Sequence, residues 1–183
     1  MIEASWLANI RTRVEQPANH LVLVHLRNGV RAEQEREERE TPAWAKVKRL
    51  FVKPRTIREP PLIAPPDAEQ WLVHPEITER VWHLGTTMPI DCRALVCGAP
   101  ALLHPQTGVI FVYGVGTVYF LRLTLRLAEE AVKAGAFTMH RWTFGGEMDI
   151  RRELGNEWVG GRWLQNEPEW CIETYREVGS MSA

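Results

Sequence analysis

The apolar positions of this chain change period several times, and each change predicts an element. The densest run is Val109-Ile110-Phe111-Val112-Tyr113. Its shortness and its β-branched and aromatic residues predict a strand buried on both faces. From Thr117 the pattern alternates: Thr117, Tyr119, Leu121 and Leu123 on one face, Val118, Phe120 and Arg122 on the other. Gly114-Val115-Gly116 between the two runs predicts a tight hairpin, with glycine supplying positive φ. The period then becomes helical. Thr124 is placed to cap, Leu127, Ala128, Ala131 and Ala134 form a stripe, and Gly135 suits the left-handed position past the last turn. Hairpin and helix make one unit, with the helix folding back over the sheet.

Upstream, Trp6, Leu7, Ile10 and Val14 predict a helix over 3–15, stopped by Pro17. His20 to Arg27 reads as a strand ending at the hairpin dipeptide Asn28-Gly29. The following RAEQEREERE reads as a solvated helix. Thr41-Pro42 starts a basic helix with Trp44, Val47 and Phe51 on one face. Pro54 to Pro66 holds five prolines in thirteen residues and predicts an extended connector. This divides the chain into an N-terminal region, 1–60, and an α+β domain, 67–183. Asp67 and Gln70 suggest a capping box and short helix, and Ile77, Val81 and Leu84 a second helix ending at Gly85.

Asp91–Cys97 and Ala101–Leu103 are short apolar pieces, the first compatible with strand or helix. Phe137–Phe144 reads as an edge strand and Asp149–Leu154 as a short helix. Asn166 to Val178 reads as a closing helix, with Asn166 as its cap, Glu167 complementing the dipole, and Cys171, Thr174, Tyr175 and Val178 on one face. The fold class is therefore α+β: an antiparallel sheet centred on the 109–123 hairpin, with helices packed on it and a helical N-terminal region.

The elements FVYGVGTVYFLRL, LRLAEEAVKAG, GNEWVGGRWL and EWCIETY follow one another between residues 90 and 178. In order and texture this half of the chain resembles the small α+β domains of the YjbR and TfoX N-terminal type. The resemblance implies their fold and a DNA-associated or accessory role, and it assigns no functional residue.

Composition narrows the classes. With 183 residues and a net charge of −1, there is length for a substantial core and no global bias toward nucleic acid. Three cysteines without paired spacing, Cys92, Cys97 and Cys171, read as reduced thiols and suggest a cytoplasmic protein. No apolar run reaches the roughly 20 residues of a membrane span, and the N-terminus lacks a signal-peptide pattern.

Four groups carry candidate chemistry. His74, His83, Cys92, Cys97 and His104 lie close in sequence but lack the paired spacing of zinc ligands, so no metal is expected. Cys92, beside Asp91 and Arg93, is a candidate nucleophile with His83 or His104 as base, against its reading as a small apolar filler. Lys46, Lys48, Arg49, Lys53 and Arg55 form a candidate contact for nucleic acid or an acidic partner.

Arg141, Trp142, Trp158, Arg162 and Trp163, with the pairs Gly145-Gly146 and Gly160-Gly161, have the composition of an interface. The glycine pairs permit close backbone approach, and none of the glycine groups matches a phosphate-binding fingerprint.

No catalytic residue and no cofactor is expected. The reading that follows is a non-enzymatic binding or accessory protein acting through protein–protein contact or self-association. Its alternatives are a small-ligand binder or small enzyme with a pocket at the Trp-bearing loops, and a nucleic-acid-associated protein.

Overall fold

A computed structural model of the chain describes residues 3–40, 42, 59–71, 73–143 and 146–181. In order, the elements are α1 (Glu3–Arg11), a 3-10 turn (Pro17–Asn19), α2 (His20–Glu40), β1 (Ile63–Ala64) and α3 (Pro75–Thr86). Next come β2 (Arg93–Val96), β3 (Ala99–Leu103), β4 (Ile110–Val115), β5 (Val118–Arg122) and α4 (Leu125–Ala134). The chain ends with β6 (Met139–Thr143), β7 (Gly146–Asp149), α5 (Ile150–Glu153), β8 (Trp158–Gly160) and α6 (Glu167–Ser180).

The fold is α+β. Six antiparallel strands form the main sheet in the order β1-β2-β3-β4-β5-β8, with the β4–β5 hairpin inside it. Both faces are apolar and covered. Ala94, Ala101, Ile110, Tyr113 and Phe120 pack with Ile10, Val14, Val22, Leu26, Met148 and Ile150, so α1, α2, β7 and α5 close one face. Leu102, Phe111, Val112, Tyr119 and Leu121 pack with Val81, Leu84, Leu127, Ala128, Cys171 and Val178, so α3, α4 and α6 close the other.

Local register explains which residues go where. Leu102 pairs with Val112 but Leu103 with Ile110, so Phe111 is an extra residue on β4. This bulge sends Phe111 and Val112 to the same face. In β5 the alternation is regular: Tyr119 and Leu121 face one core, Val118 and Phe120 the other. Thr124 accepts from the Leu127 N–H at 3.2 Å, and Gly135 ends α4 in the left-handed region.

Five expectations need correction. The strand expected at His20–Arg27 is the start of α2, and Asn28-Gly29 lies inside that helix. Val22, Leu23, Leu26 and Val30 recur at helical spacing and are buried, and that packing outweighs the turn preference of Asn-Gly. The hairpin turn contains Gly116 but not Gly114. Val115 pairs with Val118 around Gly116, whereas Gly114 is a strand residue paired with Tyr119.

Residues 66–68 form a turn and bend rather than a capped helix, and the Gln70 side chain instead accepts from Thr78 Oγ1 at 2.8 Å. The described end of the Pro-rich stretch is more than a connector, because Ile63 and Ala64 pair with Val96 and Leu95. Finally, the stretch expected as an edge strand meets the main sheet at Phe137, which bridges Gly160 of β8, but β6 itself does not extend that sheet. It pairs with β7 in a separate ribbon, and the edge beside β5 is β8.

The basic helix expected from Thr41 onward, with Lys46, Lys48, Arg49, Lys53 and Arg55, lies outside the described residues. Among the described residues no helix is long and apolar enough to cross a membrane.

Candidate functional site

The segment after β8 passes unusually close to two aromatic rings. A Cβ on Gly160 would stand 2.3 Å from the Phe137 ring, and one on Gly161 would stand 1.8 Å from the Tyr119 ring. Only glycine fits either place. Beyond this pair the chain turns sharply at Trp163, whose φ of +61° is a conformation bulky residues rarely adopt. Trp163 is nonetheless 53% exposed, among the most exposed large apolar side chains of the described residues.

A buried polar cluster holds this turn. Glu167, at the first position of α6, has no exposure. Its Oε2 accepts from Arg80 Nη2 at 2.6 Å, from Arg80 Nε at 3.1 Å and from the Tyr119 hydroxyl at 2.7 Å. Its Oε1 accepts from the backbone N–H of Arg162 at 2.8 Å. The Tyr119 hydroxyl in turn accepts from the backbone N–H of Trp163 at 2.6 Å. The Arg80 guanidinium lies 5.1 Å from the Trp163 ring centre and 6.0 Å from that of Tyr119.

The charges of the cluster are matched. Burial works against the charge of Arg80, but the Glu167 carboxylate outweighs it, and the guanidinium ends above its ordinary value. Burial, and then the Glu167 charge, push the Tyr119 phenol well above its usual range, so its hydroxyl stays protonated and donates. The sequence places Glu167 in the first turn of the closing helix, complementing its dipole, with Asn166 as the cap. Glu167 does stand in that first turn, but fully buried, and Asn166 makes no side-chain cap bond.

Beside Trp163 lies an open groove of about 460 Å³. Ile77, Val118, Phe137 and Met139 supply apolar walls, with Arg162 and Trp163 on one side. Met139 is 53% exposed. The Arg162 guanidinium sits 5.2 Å from the Phe137 ring centre.

Of the residues expected at this surface, Arg162 and Trp163 stand together in the groove. Trp158 does not join them: it is a core residue, edge-on to Tyr113 at 5.5 Å on the opposite face of the sheet. The side chains of Arg141 and Trp142 lie outside the described residues. Arg80, Tyr119 and Glu167 were not expected at a site. Their sequence separations hide them, although a carboxylate in a first helical turn and the glycines packed on Tyr119 are local traces of the cluster.

The cysteine reading gains no geometry. Cys92 is buried, and burial, then the Asp91 charge, push its thiol up to about 12. Asp91 binds the Arg93 guanidinium through both oxygens at 2.8 Å. His83 is exposed, and His104 is buried with its ring 4.6 Å from that of Tyr175. Among the described residues no three His, Cys, Asp or Glu side chains converge as a metal site.

A second depression of about 240 Å³ lies between α2 and α5, with His25 in its lining. His25 Nδ1 and the Tyr113 hydroxyl are 2.7 Å apart. Burial, and then the charge of His140, lower the imidazole to about 4. Comparison with protein-family models, with curated proteins and with solved structures finds no match to this chain.

Proposed function

We propose that this protein is a non-enzymatic binding protein that holds a segment of a protein partner in the Trp163 groove. One observation carries the reading: a large ring is kept in solvent, in an unfavourable backbone conformation, by a buried Arg80–Tyr119–Glu167 cluster. Strain retained against such support belongs to sites of contact. An exposed Trp flanked by Arg and Met is the composition of an interface anchor.

The competing reading is a small-ligand site. That reading requires polar groups converging on the groove. Here the Tyr119 hydroxyl is engaged by Glu167 and the backbone, and the other polar side chains of the lining, Thr117, His140 and Arg162, stand among Ile77, Val118, Phe137 and Met139, a mixture that favours the partner reading. The YjbR-like order of elements between 90 and 178 is in keeping with an accessory role.

The test is site-specific photo-crosslinking in the native cells, with the photoreactive residue at position 139 in the groove or at exposed Leu125 as control. A discrete protein adduct from position 139, absent from 125 and lost with Trp163→Ala, is expected. The same adducts from both positions, or none from 139, would overturn the proposal.

A further inference from the structure

We infer that the groove takes a peptide segment presenting an apolar side chain next to a carboxylate, and that Arg162 reads the carboxylate. This rests on the reading of the groove as a partner site and specifies its ligand. Among the described residues two arginines border the groove region, and they differ in kind. Arg80 is buried and held by Glu167 through two nitrogens. Arg162 is exposed, and its guanidinium has a ring contact with Phe137.

Among the described residues no acidic side chain lines the groove, and no carboxylate pairs with Arg162. Among the described residues the groove therefore presents one uncompensated guanidinium, that of Arg162. Its planar fork matches a carboxylate through two parallel hydrogen bonds. Its seat over the Phe137 ring limits the freedom that such a bond has to remove.

The apolar half of the ligand follows from the walls. Val118, Phe137 and Met139 offer surface without fixed hydrogen-bonding geometry, and Met139 adapts to the shape placed against it. A nucleic acid fits this site poorly. Its binding rests on many phosphate contacts, and among the described residues the groove's lining offers one exposed arginine, Arg162.

The position of Arg162 does not depend on its side chain, because its backbone N–H is fixed by Glu167. Charge reversal at this residue therefore changes what the groove reads without dismantling the cluster.

The experiment pans a phage-displayed random heptapeptide library on the full chain, then measures the selected peptides as synthetic ligands. Enriched peptides are expected to carry Asp or Glu within two positions of an aromatic or aliphatic residue. Arg162→Glu should weaken them roughly tenfold, the scale of a charge-assisted hydrogen bond. Replacing the peptide's acid by Lys should recover affinity for that variant. Peptides that need Trp163 yet ignore Arg162→Glu, or that are basic, overturn this inference alone. A library yielding no peptide sensitive to Trp163→Ala overturns the partner-site reading with it.

Discussion

The hydroxyl of Tyr119 donates to Glu167 Oε2 at 2.7 Å and, on its other side, accepts the backbone N–H of Trp163 at 2.6 Å. One phenol thus ties a central strand, the first turn of the closing helix and the exposed loop between β8 and α6 together. The loop's shape is set from inside the protein. This is why a tryptophan can stand in solvent without the loop collapsing onto it.

Removal of the carboxylate should be costly. Glu167→Ala leaves Arg80 buried without its partner, and an uncompensated buried charge costs about 3–5 kcal/mol. Urea unfolding is expected to show a loss of that size. A loss under about 1 kcal/mol, the range of exposed ion pairs, would mean that the cluster is solvated.

Acid should weaken the fold before the carboxylates titrate. His25 sits near 4 when folded, against 6.5 unfolded. As pH falls below 6.5 the unfolded chain takes up the proton first, so stability is present above 6.5 and is lost progressively down toward 4. Between pH 6.5 and 5 the loss should be about 2 kcal/mol. Urea midpoints across this range should fall more steeply in the wild type than in His25→Gln, which keeps the contribution of His104, whose imidazole burial also lowers. Equal slopes in the two would show that another group governs the acid limb.

The thiols should be inert. Cys92, Cys97 and Cys171 are all buried, and burial raises each of them. Iodoacetamide at mild alkaline pH should leave the native protein unmodified by mass spectrometry, in the time that labels all three cysteines in guanidinium. Selective native labelling of Cys92 would revive its reading as a nucleophile.

Two asparagines test the N-terminal helices. Asn19 is fully buried: Nδ2 donates to the Val14 and Gly108 carbonyls at 2.8 Å each, and Oδ1 accepts from the Ile110 N–H at 2.8 Å. Asn19→Ala strands the Ile110 N–H and the Gly108 carbonyl, at about 2–4 kcal/mol by denaturation. Asn28 is exposed within α2, so Asn28→Ala should be neutral or stabilise by up to about 0.7 kcal/mol. Were Asn28 part of a hairpin turn, the second substitution would instead destabilise.

These residues also show what was legible in the chain. Val109–Leu123, Thr124 and Gly135 announce themselves because each signal is local: alternation, a cap, a left-handed stop. Asp149, expected only as the first residue of a short helix, caps α5 by accepting from the N–H groups of Arg151 and Arg152. His20–Arg27 misleads because a short apolar run has no unambiguous period, and α2 becomes visible only when Leu26 and Val30 are read on through the charged stretch. The composition of the Trp163 loop suggests a surface, and Gly160-Gly161 suggests close approach. Trp158 looks equivalent in sequence, yet strand pairing with Arg122 carries it into the core. The cluster beneath the loop joins residues 48 and 87 positions from Glu167, and only tertiary packing brings them together.

The most direct measurement is the affinity of the partner crosslinked from position 139, by calorimetry, for wild type and for Trp163→Ala. An anchor of this kind is expected to lose at least about 30-fold in affinity, while the stability to urea falls by no more than about 1–2 kcal/mol, because the ring is 53% exposed and its ring contacts are with Arg80 and Tyr119. Affinities within about twofold of each other would contradict the account, since no hot-spot residue is lost so cheaply.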